Sequence, residues 1–328
     1  MQTHGEKVVT IDHVREAAAR IRPWVRPTPI ERSRWLSNDA GREVWLKLEC
    51  FQTTGSFKLR GAMSRLAALD SAERARGVLT VSAGNHGLAV AHCAAELGAR
   101  ATVVVPRSAS RAKVEAIRRY PVTLIEAGSS YDEAEREALK MAGETEAVFV
   151  SPYNDPYVIA GQGTVALEML EGGPELDCLL VPVGGGGLIA GIAIAARAIN
   201  PDIKIYGVEP AASPTMTRSL EAGRIVEIKE DETIADGLAG NIETGSITFP
   251  FIQRLVDGII LVSEASIRKA VASVAREDHL MIEGAAAVAV AALEDDRIEG
   301  RRVAAVITGR NISLDLFARL IEDGRDTR

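Results

Sequence analysis

The feature that most constrains this fold is an alternation of short apolar segments with longer helical patterns, running from residue 77 to the end. The apolar segments are rich in valine, isoleucine and leucine, which is typical of strands covered on both faces of a parallel sheet. Parallel strands need crossover connections, and the intervening helices supply them. The pattern therefore predicts an α/β fold built on parallel sheets. The predicted strands are residues 43–48, 78–81, 101–105, 122–125, 147–150, 178–183, 203–208, 259–262 and 303–307.

A Ser-Pro-Tyr-Asn-Asp-Pro run at residues 151–156 interrupts this alternation and is the best candidate for a hinge between two sheets. We therefore expect two parallel-sheet α/β lobes. The smaller lobe, residues 77–152, is inserted into a larger lobe formed by residues 1–76 and 153–328.

The N-terminal part follows a different pattern. A helix is predicted from Thr10 to Ile21, where apolar residues recur at helical spacing. Pro23, Pro27 and Pro29 follow it, and each proline fixes its own backbone and restricts the residue before it. The sequence therefore predicts an extended connector between this helix and the first strand.

Composition and charge exclude several classes of protein. The formal net charge is −7 and no basic run resembles a nucleic-acid-binding stripe, which argues against DNA, RNA or an anionic membrane as the main partner. The three cysteines are far apart and have apolar neighbours, so they are expected to be reduced thiols of a cytoplasmic protein. Residues 1–10 are polar and no long apolar stretch is present, so we expect neither a signal peptide nor a membrane span.

Lys58 is the first candidate for chemistry, in a TGSFKLRG segment between a strand and a helix. Gly55 and Ser56 are expected to form a turn and N-cap, which puts Lys58 in the first helical turn. The helix macrodipole disfavours a cation there, and Phe57 adds an apolar neighbour. A lysine with a lowered pKa is suited to forming a Schiff base, although a lone lysine is more often a solvated surface residue.

Four consecutive glycines at residues 184–187 lie between an apolar strand and an apolar helix. Glycine allows close backbone approach, and the amides of a helix start favour a phosphate. A close-packed turn is the alternative. A rival function is also open, because Gly185, Gly187 and Ala190 fit the dinucleotide-binding fingerprint and Glu209 stands at the expected distance of roughly 20 residues for a ribose-binding acid.

Two further polar segments follow predicted strands. In SAGNHG (82–87), the amides and the Ser82 and Asn85 side chains could bind a carboxylate or a phenolic oxygen, and a plain capped turn is equally consistent. In TGRN (308–311), Thr308 could face a ring nitrogen, but capping of the last helix by Asn311 is the simpler expectation. The five histidines show no metal-ligand spacing, and no Gly-x-Ser-x-Gly elbow is present.

Taken together, these segments resemble the tryptophan-synthase-β group of pyridoxal-phosphate enzymes, known as fold type II. Within that group the chain is most similar to threonine/serine dehydratases and serine racemases. The resemblance extends from about residue 25 to the end. The matching segments, in family order, are SFKLRGA (56–62), SAGNHG (82–87), AGQGT (160–164), GGGGL (184–188), TIADG (233–237) and TGRN (308–311).

The resemblance implies a role for each matched position. Lys58 would carry the pyridoxal 5'-phosphate as a Schiff base and move the Cα proton of the substrate. Phe57 would pack beside the pyridine ring, Asn85 would bind its phenolic oxygen and Thr308 would face its nitrogen. The remaining cofactor-binding residues would be Gly184, Gly185, Gly186, Gly187, Leu188 and Gly237. The substrate carboxylate would be bound by Ser82, Ala83, Asn85 and His86, with Asn154 close by.

Departures from the family pattern narrow the expected reaction. Serine racemases have a second serine where this chain has Ala83, so elimination is favoured over racemisation. Members with a divalent cation use an acid matching Glu209 and a nearby aspartate, but Thr215 stands in the aspartate's place, so no metal is expected. The change to Thr-Gly-Arg-Asn introduces Arg310, which hints at an unusual substrate.

The resemblance therefore predicts a dehydratase that eliminates water from a small β-hydroxy amino acid such as L-threonine or L-serine, giving a 2-oxo acid and ammonia. The chain ends after the catalytic unit, so we expect the catabolic type or a dehydratase of hydroxyectoine breakdown. The group also implies a homodimer. A serine racemase-like enzyme, a nicotinamide-dependent oxidoreductase and a non-catalytic binding module remain alternatives.

Overall fold

The computed structural model describes residues 9–323, apart from the side chain of Asp132. Most of the polar start lies outside these residues. The strands form a six-stranded sheet in the order β1-β2-β10-β7-β8-β9 and a four-stranded sheet in the order β5-β4-β3-β6. They are β1 Ile30–Ser33, β2 Glu43–Lys47, β3 Val78–Val81, β4 Ala101–Val105, β5 Thr123–Glu126, β6 Val148–Phe149, β7 Cys178–Pro182, β8 Lys204–Pro210, β9 Gly258–Val262 and β10 Arg302–Val306.

The helices cover both sheets. They are α1 Ile11–Ile21, α2 Arg34–Asp39, α3 Lys58–Ala67, α4 Ser71–Arg76, α5 Asn85–Leu97, α6 Arg111–Arg118, α7 Tyr131–Thr145, α8 Pro156–Leu170, α9 Gly187–Ile199, α10 Thr215–Ala222, α11 Thr248–Leu255, α12 Glu264–Glu277, α13 Gly284–Ala291 and α14 Leu314–Asp323. Two short 3-10 helices are Glu49–Phe51 and Ala292–Glu294. Within residues 9–323, no helix combines the length and the apolarity that crossing a membrane requires.

The expected fold class is confirmed. All strands of the smaller sheet come from one stretch of chain, between β3 and β6, and the larger sheet uses strands from before and after it. The central strand β7 is buried along its whole length and pairs in parallel with β8 and β10. Its apolar residues face helices on both sides of the sheet, as expected of a parallel sheet in an α/β fold.

The N-terminal part contains one strand that the sequence pattern did not predict. Directly after the proline-rich connector, Ile30–Ser33 pairs antiparallel with β2, starting from Ile30 opposite Lys47. The connection between β1 and β2 contains only the short helix α2, and a short connection makes adjacent strands antiparallel. Pro29 immediately precedes this edge strand, a position where its missing N–H costs no ladder hydrogen bond.

Helix α3 joins the two lobes, although its sequence lies before the predicted boundary. Leu59, Met63 and Leu66 are fully buried in a cluster that also contains β3 and α5. The other side of α3 packs closely on α8, since a Cβ on Gly161 would lie 2.5 Å from the Arg60 carbonyl oxygen. The first residue of α3 therefore stands where both lobes meet.

Candidate active site at the carboxyl ends of the strands

The segments singled out in the sequence follow β3, β7 and β10. The carboxyl ends of parallel strands lie at one edge of a sheet, and ligands of α/β proteins bind there. β10 and β7 are neighbours in the larger sheet, which places residues 184–188 beside residues 308–311. The segment after β3 reaches them through side-chain contacts described below.

The lysine segment is held against the end of β10. Ser56 forms an isolated bridge with Gly309, and the Phe57 amide donates to the Thr308 carbonyl at 3.0 Å. Gly55 has a φ of 75°, so the expected turn is present. The expected cap is wrong, because Phe57 occupies the N-cap position in a helical conformation and Ser56 is used in the bridge. Lys58 is therefore the first residue of α3.

The Lys58 amine loses its proton more easily than an ordinary lysine. Its Nζ donates to the Pro152 carbonyl at 3.0 Å and lies 5.2 Å from the centroid of the Phe57 ring. Burial lowers its pKa to about 8, although the nearby Glu283 carboxylate acts in the opposite direction. An amine that loses its proton this easily is available as a nucleophile or a base.

The glycine run follows β7 and ends at the first residue of α9. Gly186 is the N-cap, with a φ of 86°, and no side chain caps the helix. A Cβ on Gly185 would lie 2.3 Å from Cδ1 of Tyr153, and one on Gly186 would lie 2.5 Å from Cδ1 of Ile252. Close packing therefore requires these glycines, while the uncapped amides of α9 still offer an anion site.

Asn85 connects the smaller lobe to the lysine segment. It is the first residue of α5, and its Oδ1 accepts from Asn311 Nδ2 at 2.6 Å. Asn311 Nδ2 also donates to the Thr54 carbonyl at 2.9 Å. The expected capping role of Asn311 is wrong: α14 begins at Leu314, and the Ser313 hydroxyl accepts the Leu316 amide at 3.3 Å instead.

The Thr308 side chain is one of several with a buried polar atom that lacks a partner. The residue is 2% exposed, and Oγ1 has no hydrogen-bond partner among the residues that the structure describes. A buried hydroxyl left unpaired costs free energy, which a bound polar group would offset. The site thus contains an unused donor and acceptor beside the end of β10.

The segment after β3 contributes main-chain groups more than side chains. Ser82 Oγ accepts the Gly84 amide at 3.1 Å, and His86 Nε2 lies 3.0 Å from the Val150 carbonyl. Burial, with help from Lys58, lowers the pKa of His86 to about 3, so its ring is neutral and Nε2 carries the proton toward that carbonyl. Ala83 presents only a methyl group.

Asn154 and Gly237 lie on the larger lobe. Asn154 Nδ2 donates to Glu243 at 2.8 Å and its Oδ1 accepts the Ile247 amide at 3.0 Å, so this side chain is held by the segment before α11. Gly237 packs against α13, where a Cβ would lie 3.3 Å from Cβ of Ala285.

Sequence reasoning missed Glu283, which stands immediately before α13. It is 7% exposed and its Oε1 accepts from Asn85 Nδ2 at 2.7 Å. Burial raises its pKa to about 7, although the Asn85 hydrogen bond acts in the opposite direction. A Cβ on Gly309 would lie 2.1 Å from Oε1 of Glu283, which explains the glycine there. The only available signal was a glutamate directly before an apolar helix.

The sequence profile of the family described as pyridoxal-phosphate dependent enzymes matches residues 21–309. The chain belongs to this family. Its cofactor is therefore pyridoxal phosphate, in agreement with the resemblance found in the sequence.

Individual relatives point to a narrower group. This pyridoxal-phosphate dependent enzyme is 41% identical to L-threonine ammonia-lyase of Thermotoga maritima over 97% of this chain and 79% of that protein. It is 38% identical to serine racemase of Oryza sativa subsp. indica, over 96% of this chain and 94% of that protein. The solved structure of maize serine racemase superposes with a TM-score of 0.91 at 37% identity, covering 97% of this chain and 98% of that one.

The residues of this pyridoxal-phosphate dependent enzyme suit its cofactor. The uncapped start of α9 suits a phosphate, and the unpaired Thr308 hydroxyl suits a ring heteroatom. The Lys58 amine, with its lowered pKa, suits a carbonyl carbon.

The nicotinamide alternative does not hold, because Glu209 is used elsewhere. Its carboxylate accepts from the Met216 and Thr217 amides at 2.8 and 2.9 Å, so it binds the start of α10.

Two other departures from the family pattern can also be located. Thr215, the residue in place of the second metal acid, donates to the Gly240 carbonyl at 3.1 Å. The Arg310 guanidinium lies 5.5 Å from the centroid of the Phe51 ring.

Proposed function

We propose that this enzyme eliminates water from a small β-hydroxy amino acid, L-threonine or L-serine, and releases a 2-oxo acid and ammonia. The observation that carries the proposal is that a base is available on one face of the substrate only. Lys58 provides an amine with a lowered pKa, whereas Ala83, at the position in the segment after β3 where a second proton donor would stand, has only a methyl group. The L-threonine ammonia-lyase of Thermotoga maritima is a supporting relative.

The proposed roles of the residues follow from their surroundings. Lys58 Nζ holds the cofactor and then takes the Cα proton of the substrate, so one amine performs both tasks in turn. Phe57 would pack beside the ring, Asn85 would bind the phenolic oxygen and Thr308 would face the ring nitrogen. The amides of residues 184–188 would hold the phosphate. Bound pyridoxal phosphate supplies the electron sink that stabilises negative charge at Cα.

The substrate carboxylate is proposed to bind to the segment after β3. Since the His86 ring is neutral and faces the Val150 carbonyl, His86 would contribute its main-chain amide. The amides at the start of α5 carry the positive end of a helix dipole, which favours a carboxylate. Ser82 and Asn154 would set its position from either side.

The reaction balances without a further reactant. Removal of the Cα proton and departure of the β-hydroxyl produce water and an unsaturated amine. Water then hydrolyses this amine to the 2-oxo acid and ammonia. Residues 77–152 are proposed to act as the substrate-binding lobe and the rest of the chain as the cofactor-binding lobe, in a cytoplasmic homodimer.

Serine racemisation is the second candidate, because rice serine racemase is 38% identical over nearly the whole chain. The two functions separate in one experiment. Purified holoenzyme is incubated with L-threonine, L-serine, D-serine and 3-hydroxyaspartate, and ammonia, 2-oxo acid and the chirality of the remaining amino acid are measured. We expect ammonia and 2-oxo acid in equal amounts, with the remaining L-serine unchanged. Formation of D-serine without ammonia would overturn the proposal.

A further inference from the structure

Glu283 has no role in the reaction as proposed, yet it lies within the site. It is fixed at the start of α13, and its main-chain amide donates to the Gly309 carbonyl at 3.2 Å. We propose that Glu283 is a positioning residue, whose ionised carboxylate holds the Asn85 amide in the orientation that contacts the cofactor. The proposal rests on the role given above to Asn85.

The hydrogen bonds around Asn85 allow one orientation of its amide. Nδ2 donates to Glu283 and Oδ1 accepts from Asn311. A flipped amide would direct its oxygen at the Glu283 carboxylate and its NH2 group at the NH2 group of Asn311, and both contacts would be repulsive. In the observed orientation Nδ2 keeps one further hydrogen, which is free to donate to a phenolic oxygen.

The strength of this arrangement depends on the charge of Glu283. A hydrogen bond to a carboxylate is roughly twice as strong as one between neutral groups. When the carboxyl group is protonated, Asn85 keeps only a neutral acceptor and is held less firmly. The ionised fraction of Glu283 therefore sets the fraction of enzyme in which Asn85 is aligned.

The groups that face Glu283 come from several elements. Lys58 lies on α3, the Cys50 thiol lies in the short helix after β2, and the exposed pair of Lys113 on α6 and Asp236 spans the two lobes. Burial is the main reason that the pKa of Glu283 is raised to about 7; Asp236 raises it further and Lys113 lowers it. Small changes in the Lys113–Asp236 pair should therefore shift the pH at which Asn85 becomes aligned.

The test uses holoenzyme and the absorbance of the bound cofactor, recorded against pH without substrate. We expect a transition near pH 7 in the native protein and none in Glu283→Gln, whose spectrum should match the low-pH native spectrum at every pH. Its kcat/KM should be about fivefold lower at pH 8, since a charged hydrogen bond exceeds a neutral one by roughly 1 kcal/mol. Glu294→Gln, an exposed glutamate paired with Lys269, is the matched control.

Two surface variants keep the test valid even when Glu283→Gln folds poorly. Asp236→Asn removes a charge that raises the pKa of Glu283, so the transition should move to lower pH. Lys113→Gln should move it to higher pH. Transitions that stay in place in both variants, or a native transition unchanged in Glu283→Gln, would overturn the proposal. Because no substrate is present, these shifts remain interpretable even if the holoenzyme releases no ammonia from threonine.

Discussion

Two clusters of buried charge lie at opposite sides of helix α3 and are built differently. On one side, Arg60 donates to both oxygens of Glu49 at 2.7 and 2.8 Å and to both oxygens of Glu168 at 2.7 and 2.9 Å. Lys47 adds a hydrogen bond to Glu168 at 2.6 Å. On the other side, Glu283 has an amide as its polar partner, and Lys58 donates to a carbonyl.

The comparison shows that an oppositely charged partner can reverse the effect of burial on a pKa. Burial alone would raise the pKa of Glu168, but Arg60 and Lys47 outweigh it and hold that pKa below its usual range. For Glu283 and Lys58 burial prevails, so both pKa values move toward neutrality. In the paired cluster, the Arg60 and Glu168 charges are fixed and anchor α3, whereas Glu283 and Lys58 are left able to exchange protons.

The largest expected effect concerns the unpaired lysine. Lys58→Ala should lower kcat by about 10⁴-fold or more, because it removes the group that holds the cofactor and takes the proton. Its melting temperature should equal or exceed that of the native apoprotein, since burial disfavours the charged amine. Ammonia release and thermal unfolding of the apoproteins measure the two parts. A strong loss of stability would make Lys58 a structural residue like Arg60.

Substitution in the paired cluster should mainly reduce stability, whereas Lys58→Ala should mainly reduce activity. Arg60→Met leaves the buried Glu49 carboxylate without its cationic partner and Glu168 with Lys47 alone, and should destabilise the protein by about 3–5 kcal/mol, measured by urea unfolding. Arg218→Met removes an exposed pair with Glu221 and should cost about 0–1 kcal/mol. Equal effects from the two variants would show that the Arg60 cluster does not anchor α3.

At the pH at which ionised Glu283 supports activity, the same charge should lower the free energy of unfolding. Its folded pKa of about 7 exceeds its ordinary value of 4.5, so its contribution to stability is fully present below the unfolded pKa and is lost as pH rises through the folded one. Glu283→Gln should therefore be about 1–3 kcal/mol more stable than the native protein at pH 8, with little difference at pH 4.5. Unfolding curves at both pH values measure this difference, and lower stability at pH 8 would contradict it.

The smallest expected effect tests how finely the paired cluster is built. Thr164 Oγ1 accepts from Arg60 at 3.1 Å and donates to the Gly161 carbonyl at 2.7 Å. Thr164→Val should cost about 1–2 kcal/mol of unfolding free energy and leave kcat within about twofold. A large fall in kcat at unchanged stability would mean that the cluster acts on the reaction directly.

Much of this molecule could be predicted from local pattern. Apolar segments such as Cys178–Pro182 indicated parallel strands, and the glycine run indicated the helix start that follows. The remaining features depend on contacts between distant residues. Glu283 and Asn85 are 198 residues apart in sequence, and Asn311, which was expected to cap a helix, instead donates to Asn85, 226 residues away. Local sequence patterns contain no information about such pairs. Glu209 likewise satisfied the spacing of a fingerprint while its carboxylate bound a neighbouring helix.

Reductive labelling tests the central contrast between Lys58 and the buried, ion-paired Lys47 most directly. Holoenzyme is treated with borohydride, digested and examined by mass spectrometry for lysines that carry the reduced cofactor. The account predicts the label on Lys58, with Lys47 unmodified, because Lys47 is tied to Glu168 at 2.6 Å. Label on Lys47 or Lys113, with Lys58 unmodified, would contradict it.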